Sequence, residues 1–571
     1  MKSFSKLNKF NIPSLLLFLT GTVIWSLTML KSGLVYSYGM GFWGPNGHDG
    51  VWHLALAESL AKGSWQMPIF AQDVIKNYHI GFDLILAFLY KITFIRPVNL
   101  YFQIIPPFLA IFTGYFVYMF VLLWTKAKRS AFWATFFTYF SGSFGWVVSA
   151  LRGQGFSGES MFWSQQSLSS LINPPFALSL VLIFAGLTFL LKYLEDGNKN
   201  YGLVATVLFG VLVQIKVYGG ILVVAALFFA SLTYLITQKN LVLFKVFLGS
   251  LVLSLFLILP VIKFRDNTLI WKPFWFLETM MSDPSRLYWP RFAQAMINYK
   301  LGNVFIKEIM AYGVAFALFI IGNLGLRLLS IFYFIKQEKR RTDYRFIDTF
   351  ILTIIILGII TPTFYVQSGT TWNTIQFFYY SLVFLGILAG IGFSKLFLKS
   401  SVIFRGGLIL TIFILTYPTI VATLRNYLPS RPPAMISKDE LSALEFLAKQ
   451  PDGIVLTQLF NREASEKVAN NPPRPLYLYE STAYVSAFSN KDVYLEDEVN
   501  LEITGFPWQK RKDKILGLLK SENTNDAGEF LKEYGISYLY LVKNYEDFGI
   551  FSSYVVKIFE NDEVMIMKVG E

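Results

Sequence analysis

Residues 47–53 read Gly47-His48-Asp49-Gly50-Val51-Trp52-His53, and Asn77-Tyr78-His79 follow soon after. The chain of 571 residues contains 3 histidines, and His48, His53 and His79 are all of them. They lie with Asp49 in one short segment after the first hydrophobic stretch. The role of this segment depends on the side of a membrane that it faces.

The composition predicts a membrane protein, because 54% of the residues are hydrophobic and only 15% are charged. A helix needs about 20 apolar residues to cross a bilayer. Eleven stretches qualify, near 13–31, 100–124, 131–150, 174–191, 202–217, 219–237, 241–262, 308–335, 346–365, 374–394 and 402–424. The sequence therefore predicts a polytopic α-helical membrane protein with about 11 spans.

The net charge of +13 does not require a nucleic-acid partner. Lys and Arg cluster at short loops, which is the pattern expected of cytoplasmic loops in membrane proteins. The chain has no cysteine, so neither a disulfide framework nor a thiolate metal site is expected. The first span follows Lys2, Lys6 and Lys9 and has a long core without a cleavage site, so we interpret it as an uncleaved anchor with a cytoplasmic N-terminus.

The apolar stretch 80–95 is short for a span and contains Asp83 and Lys91. If it crossed the membrane, the basic clusters at 126–129, 336–341 and 395–399 would all lie outside. If it lies on the outer face, all three clusters fall inside together with the basic N-terminus, as the positive-inside rule requires. We therefore predict an interfacial helix here.

This topology places a large outer loop at 32–99, with Asp49 and all three histidines outside the plasma membrane. It also makes the tail extracytoplasmic and predicts two domains, a transmembrane domain at 1–428 and a small α/β domain at 429–571. In the tail, Ser437 and Glu440 form a capping-box pattern that opens a helix to about Gln450. Strands are predicted at Ile454–Leu459, Tyr484–Phe488, Val493–Leu495, Ile536–Val542, Tyr554–Phe559 and Val564–Val569, and helices at Trp508–Lys520 and Asp526–Tyr534.

Asp49 follows a Gly/Pro-rich turn and precedes a predicted amphipathic helix, Val51–Lys62. In that helix the apolar residues would lie on the membrane, while His53 and Glu58 would face water. The pattern puts a carboxylate at the bilayer surface. The alternative is that Asp49 only caps the helix.

The segment from Gly47 to Ala57, with Gly63-Ser64-Trp65-Gln66-Met67-Pro68 after it, resembles the GT-C superfamily of membrane glycosyltransferases. That superfamily includes protein O-mannosyltransferases, oligosaccharyltransferases and aminoarabinose transferases. The resemblance covers the architecture of roughly residues 1–425, with a second interfacial helix from Tyr78 onward. It implies that Asp49 is the acidic residue of the first outer loop that takes part in catalysis, and that Glu159 is the candidate for a second outer-loop acidic residue. Lys216, in Gln214-Ile215-Lys216-Val217-Tyr218-Gly219-Gly220, resembles a lysine near the carrier phosphate, although Val217 and Tyr218 separate it from the glycines.

The chemistry implied is transfer of a sugar from a polyprenyl-phosphate-linked donor to an acceptor hydroxyl. Asp49 would act as general base. Lys216, together with His79, Arg152 or Arg265, would stabilise the departing phosphate. The alternative for Lys216 is snorkelling to the outer headgroups. His48 and His53 would neighbour the substrates, and Gln376 could contact a sugar, although anchoring in the aromatic belt is the simpler interpretation of its segment.

A divalent metal is a further alternative, because His and carboxylate are suitable ligands. Only Asp49 and His53 have helical ligand spacing, so no metal site is assigned. In the tail, Tyr477–Tyr484 and Glu496–Asn500 are candidates for binding a glycan or another acceptor, although a soluble domain carries such clusters by default. The acceptor is predicted only as a glycan, lipid or protein.

Two rival functions remain open on the sequence. One is a transporter or flippase of lipid-linked sugars, which often shows inverted repeats and broken paired helices. No such repeat is visible here, and the charged candidates cluster at one face, which favours surface chemistry. The other is a non-catalytic scaffold in cell-envelope assembly.

Overall fold

The computed structural model describes residues 10–262, 269–335, 344–367, 373–398, 401–521, 523–543, 545 and 548–570. Arg265 lies outside the described residues. The chain divides into two compact units. Unit 1 comprises Met1–Thr28, Pro106–Pro260 and Arg265–Asn426, and unit 2 comprises Met29–Ile105, Val261–Phe264 and Tyr427–Glu571. The sequence-based division at 428/429 stays a prediction.

Unit 1 is helical. Its described α-helices are Ile12–Ser26, Lys128–Phe140, Gly145–Leu151, Pro174–Asp196, Lys199–Gly210, Leu212–Ile215, Val217–Gln238, Val242–Ile258, Trp275–Ser282, Pro290–Leu301, Phe305–Leu324, Ile331–Ile335, Arg345–Phe364, Gln376–Leu398 and Val402–Leu424, and the helix Ile105–Thr125 belongs to it except for its first residue. One short antiparallel ribbon pairs Leu269–Trp271 with Tyr365–Gln367.

Seven helices among the described residues are long and apolar enough to cross a membrane. They are Pro97–Thr125, Pro174–Asp196, Val217–Gln238, Phe305–Ile335, Arg345–Phe364, Gln376–Phe397 and Val402–Leu424. Three shorter apolar helices, Ile12–Ser26, Lys199–Ile215 and Val242–Ile258, coincide with other predicted spans, and the predicted span at 131–150 overlaps the helix Lys128–Phe140. The protein is a polytopic helical membrane protein, and the count of eleven spans stays a prediction.

Unit 2 contains two four-stranded sheets. The first has the order Val35–Tyr36, Gly39–Phe42, Ala434–Ser437 and Arg474–Pro475, so a strand of the predicted first loop pairs with a strand of the tail. Gly39 lies opposite Ser437 in an antiparallel register that ends with Phe42 opposite Ala434. The second sheet has the order Ile454–Thr457, Ile536–Val542, Val564–Val569 and Val555–Glu560.

The helices of unit 2 are Asp49–Ala61, Gly81–Thr93, Pro97–Asn99, Lys438–Ala448, Arg462–Val468, Tyr484–Ser489, Glu498–Thr504, Trp508–Leu519 and Thr524–Glu533. The capping box at Ser437 forms as the sequence predicts, with Glu440 N–H donating to Ser437 Oγ at 3.0 Å. The prediction of a strand at Tyr484–Phe488 was wrong, because these residues form a buried helix turn. At Val493–Leu495 only a single bridge between Val493 and Val455 forms.

The helix Gly81–Thr93 has two faces. Phe82, Asp83, Leu86 and Ala87 are buried, whereas Leu84, Ile85, Phe88 and Ile92 are exposed. At about 1.5 Å per residue its 13 residues span about 20 Å, which is shorter than the hydrocarbon core of a bilayer. These dimensions and the exposed apolar face suit a helix that lies along a membrane surface.

The helix Asp49–Ala61 differs from its prediction. Every residue from Gly50 to Ala57 is buried within the protein, including His53. The prediction that His53 faces water was therefore wrong. A histidine among apolar residues makes the helix look amphipathic in the sequence. In the fold, however, His53 is buried and its imidazole contacts the carboxylate of Asp83.

Candidate active site

Asp49 is the first residue of the helix Asp49–Ala61, directly after the tight turn Gly44–Gly47. The residue is exposed, while Gly50 and the following turns of the helix are buried. No side chain caps this helix start, so the interpretation of Asp49 as a capping residue is not supported. A carboxylate at a helix N-terminus faces the positive end of the helix dipole. Asp49 is thus a solvent-accessible acid on a rigid support.

The close fit beneath Asp49 depends on glycine. A Cβ atom added at Gly50 would lie 2.6 Å from the ring of Phe102 and 3.3 Å from that of Tyr101. Tyr101 is fully buried, and the charge of Asp49 acts on its hydroxyl. The start of the helix is therefore held against these aromatic rings, which fixes the direction of the Asp49 backbone.

His48 precedes Asp49 and packs against the tail of unit 2. Its ring lies edge-on to Tyr479, with 4.4 Å between the ring centroids, and it bonds to the backbone of Ser481. Burial lowers the pKa of His48, and the charge of Arg474 adds to this effect while Asp49 opposes it. A lowered pKa leaves the imidazole neutral near pH 7, so His48 can exchange hydrogen bonds without adding charge.

A second acid lies near Asp49. Burial and the charge of Asp49 raise the pKa of Asp497 to about 6, against hydrogen bonds from Asn500 and Ser481. Asp497 adopts a left-handed backbone conformation with a φ of 52°, unusual for a residue other than glycine. Its side chain accepts the N–H of Asn500 at 3.1 Å and so caps the helix Glu498–Thr504. Strained residues of this kind often mark functional sites.

His53 and Asp83 form a buried pair, with His53 Nδ1 and Asp83 Oδ1 2.6 Å apart. The side chains are 4% and 0% exposed. The imidazole stacks on Tyr101 at 5.6 Å between ring centroids. His53 is thus one helical turn below Asp49 and does not reach solvent, so it orients the helix and does not contact a substrate in this arrangement.

His79 is also buried and stacks on Tyr78, with 4.6 Å between ring centroids. Tyr78 in turn meets the ring of Trp52, in the Asp49–Ala61 helix, at 5.3 Å. His48, His53 and His79 therefore all lie in or beside this helix, and the predicted substrate contacts of His48 and His79 stay predictions. They act through different neighbours and do not converge on one point. No group of three or more His, Asp or Glu side chains among the described residues is placed to hold a metal ion.

A cleft opens in the tail of unit 2, with an empty volume of about 420 Å³ that includes its mouth. We call it the tail cleft, and its lining includes Thr457, Tyr477, Tyr479, Glu480, Thr482 and Asp497. Tyr479 and Asp497 belong both to this cleft and to the surroundings of His48 and Asp49. The cleft thus adjoins the segment that contains His48 and Asp49.

Lys216 lies in unit 1, between the helices Leu212–Ile215 and Val217–Gln238. Its extended backbone interrupts the helix, and its ammonium donates to Asn173 Oδ1 at 3.3 Å. Only 5% of the residue is exposed, so it does not snorkel into solvent. A buried cation at a helix break in a membrane protein is typical of a functional position.

Gln376 also lies in unit 1. It starts the helix Gln376–Leu398 and donates to Asn373 Oδ1 at 3.1 Å. Thr374 Oγ1 accepts the N–H of Gln367, whose side chain accepts from Tyr218, two residues after Lys216. Gln367 thus links Thr374, two residues before Gln376, to Tyr218, two residues after Lys216.

Glu159 has a structural environment in unit 1. It accepts hydrogen bonds from Ser169 Oγ at 2.7 Å and from the N–H of Gln166 at 3.0 Å. Burial raises the pKa of Glu159, against these hydrogen bonds and the charge of Arg327. Arg327 is 1% exposed and donates to Gln166 and Ser167 at 2.7 and 2.9 Å. The geometry favours a role for Glu159 in holding this loop, and its role as a second outer-loop acid stays a prediction.

Arg152 is likewise occupied in unit 1. Its guanidinium donates to the carbonyl oxygens of Leu287 and Tyr288, and so joins two loops. Its predicted contact with a phosphate stays a prediction.

No protein-family model and no curated protein matches the sequence. Solved structures do match. The archaeal oligosaccharyltransferase AglB from Archaeoglobus fulgidus is similar at a TM-score of 0.50 and 13% identity, over 93% of this chain and 69% of that chain. The arabinofuranosyltransferase AftD from Mycobacteria is similar at 0.52 and 11% identity, over 98% of this chain and 40% of that chain. The chain has the GT-C fold.

The GT-C fold confirms the resemblance inferred from the first loop. ArnT from Cupriavidus metallidurans also aligns, at a TM-score of 0.45 and 10% identity, over 97% of both chains. At these identities the GT-C similarity is one of architecture, so the roles of individual residues follow from the geometry around them.

Sequence reasoning missed several residues of this candidate site. In the sequence, Asp83 served only as evidence that the stretch 80–95 does not span the membrane, yet in the structure it is the partner of His53. Arg474 and Ser481 were not singled out, and Asp497 appeared only within a general acidic cluster. A buried aspartate in a short apolar helix is one available signal, because such a group needs a partner.

Proposed function

We propose that this protein is a membrane glycosyltransferase that transfers a sugar from a polyprenyl-phosphate-linked donor to an acceptor hydroxyl on the extracytoplasmic face. The observation that carries the proposal is the exposed Asp49 carboxylate at the start of an otherwise buried helix, in a chain with the GT-C fold. AglB was solved with an inhibitory peptide and a dolichol-phosphate, and ArnT with undecaprenyl phosphate.

In the proposed reaction the acceptor oxygen attacks the anomeric carbon of the donor. The bond between that carbon and the phosphate oxygen breaks, and the polyprenyl phosphate leaves with the bonding electrons. Asp49 accepts the proton of the attacking hydroxyl as general base. Since phosphate is a good leaving group, the reaction needs no strong general acid.

Lys216 is the proposed contact of the leaving phosphate. Its buried ammonium would stabilise the charge that develops on the phosphate oxygen as the bond breaks. Asn173 holds the ammonium in place. Gln376 is the proposed contact of the donor sugar. Arg265, His79 and Arg152 remain proposed secondary phosphate contacts.

The active face is proposed to be extracytoplasmic, with eleven spans and a cytoplasmic N-terminus in the plasma membrane. The charge distribution supports this orientation, because the basic clusters at 126–129, 336–341 and 395–399 then lie inside. The helix Gly81–Thr93, with its exposed apolar residues, would lie along the outer surface.

The decisive experiment compares wild type with Asp49→Asn after reconstitution with extracted lipid-linked sugars. We expect sugar transfer to fall by at least about 100-fold, the lower range for loss of a general base. Asp513→Asn is the matched control, since Asp513 is an exposed aspartate in the same unit and is expected to leave transfer unchanged. If Asp49→Asn transfers sugar as well as wild type does, Asp49 is not the general base. If the protein translocates the donor without transferring the sugar, it is a transporter.

A further inference from the structure

The tail cleft has an unsatisfied polar group in its lining. Thr482 is 5% exposed, and its Oγ1 has no hydrogen-bond partner among the described residues. A buried hydroxyl without a partner is uncommon, because leaving it unsatisfied costs free energy. Thr482 is one of the residues that line the cleft.

Several acids around the tail cleft already have partners. Glu480 pairs with Arg462 at 3.6 Å, and Glu498 pairs with Lys512 at 2.8 Å. The oxygens of Glu496 accept the backbone N–H groups of Val485 and Ser486, at 2.8 and 3.1 Å. The acidic composition therefore does not make a binding site for a polycation, since most of the acceptors already have donors.

What remains is a set of tyrosine rings and neutral hydrogen-bonding groups. Tyr477 and Tyr479 line the cleft together with Thr457 and Gln458. Arg474 lies over the ring of Tyr479 at 3.5 Å and holds that ring in place. Ring faces suit the C–H faces of a sugar, and hydroxyl, amide and carboxylate groups suit its hydroxyls.

We infer that the tail cleft binds an uncharged carbohydrate through Tyr477 and Thr482, and that this carbohydrate is the acceptor for Asp49. The acceptor role rests on the proposed function, whereas carbohydrate binding does not. Tyr479 lines the cleft and its ring lies 4.4 Å from that of His48, the residue before Asp49, so the cleft adjoins the segment that carries the exposed carboxylate. This assignment selects a glycan among the glycan, lipid and protein acceptors that the sequence leaves open.

The test measures binding by saturation-transfer NMR to the full-length protein in detergent. The probes are a panel of neutral trisaccharides built from mannose, galactose, glucose, rhamnose or arabinose, with spermidine and tetraglycine as non-carbohydrate probes. We expect saturation of at least one trisaccharide. Thr482→Val is expected to weaken its binding about fivefold, as for one lost neutral hydrogen bond. Tyr477→Ala is expected to weaken it by about fivefold or more through the lost ring contact.

The controls are Thr524→Val and Tyr554→Ala, which alter a threonine and a tyrosine of unit 2 outside the cleft lining. We expect both to bind the trisaccharide as wild type does. The inference is overturned if no trisaccharide is saturated, if Thr482→Val and Tyr477→Ala bind like the controls, or if only spermidine or tetraglycine binds in a manner that depends on these two residues.

Failure of this inference is distinguishable from failure of the proposed function. Asp49→Asn is expected to bind the trisaccharide within about twofold of wild type while losing sugar transfer. If wild type binds the trisaccharide but transfers no sugar, the carbohydrate-binding site is supported and the glycosyltransferase proposal is rejected. If Thr482→Val and Tyr477→Ala leave trisaccharide binding unchanged while wild type transfers sugar, the carbohydrate site in the tail cleft is rejected and the glycosyltransferase proposal is supported.

Discussion

His53 Nδ1 lies 2.6 Å from Asp83 Oδ1, and both side chains are sealed from solvent. The pair joins the helix that begins with Asp49 to the helix Gly81–Thr93. The position of the exposed carboxylate thus depends on a buried contact one helical turn away, between two segments separated by 30 positions.

Breaking this pair is expected to destabilise unit 2. Asp83→Leu leaves a buried imidazole without its partner, and we expect a loss of about 3 kcal/mol in the free energy of unfolding. The double variant His53→Leu/Asp83→Leu should recover part of that loss, because both polar groups are then removed. The measurement is thermal or denaturant unfolding in detergent followed by tryptophan fluorescence. Asp513→Leu, at an exposed site, is the control, and equal stability of Asp83→Leu and this control would contradict the proposed role.

The strand pairing between the first loop and the tail depends on Gly39. This residue has a φ of +129°, and an added Cβ would lie 2.1 Å from the carbonyl oxygen of Ile436. We expect Gly39→Ala to cost at least about 2 kcal/mol, because the clash acts on backbone and the conformation suits glycine. Gly63→Ala is a matched control, since Gly63 also has a positive φ, of +84°, but has no atom within 4 Å of the added Cβ. Equal unfolding curves for the two variants would show that the contact with Ile436 does not matter.

Glu440 is expected to make the stability of unit 2 depend on pH. Burial raises its pKa from 4.5 to about 8, with a further contribution from Glu563 and against hydrogen bonds from Ser437 and Tyr484. A raised carboxyl pKa means that the folded state binds the proton more tightly than the unfolded state, so stability falls as the pH rises from about 4.5 to about 8. Glu440→Gln keeps a capping-box residue and removes this titration. We expect it to raise the melting temperature at pH 8 relative to wild type, with a smaller difference at pH 5.

The comparison at the two pH values uses Glu529→Gln as control, since Glu529 is an exposed glutamate of the same unit. Its melting temperatures are expected to follow those of wild type at both pH values. A wild-type difference between pH 5 and pH 8 that Glu440→Gln leaves unchanged would rule out Glu440 as its source.

The absence of cysteine from the chain allows single-cysteine mapping of the proposed topology. Lys128→Cys is expected to resist an impermeant maleimide added to intact cells, because the positive-inside rule places it in the cytoplasm. Asp513→Cys, in the tail, is expected to react. Each variant is also labelled after permeabilisation, which shows that the cysteine is reactive. Ready labelling of Lys128→Cys in intact cells would overturn the topology.

The sequence by itself determined the chemical character of the chain. Long apolar stretches predicted helices that the structure contains, because a bilayer-length apolar run leaves few alternatives to a helix. The capping residues Ser437 and Glu440 correctly predicted the start of a helix, because a cap involves only neighbouring residues. The concentration of His48, His53 and His79 around Asp49 also identified the segment that contains the candidate active site.

Only the tertiary structure decided which polar residues meet. The partner of His53, the tail strand opposite Gly39 and the approach of Asp497 to Asp49 all join segments far apart in the chain. No local pattern of hydrophobicity encodes such contacts, because they depend on how the segments pack. For the same reason the Asp49–Ala61 helix looked amphipathic in the sequence and is buried in the fold, leaving Asp49 as its exposed start.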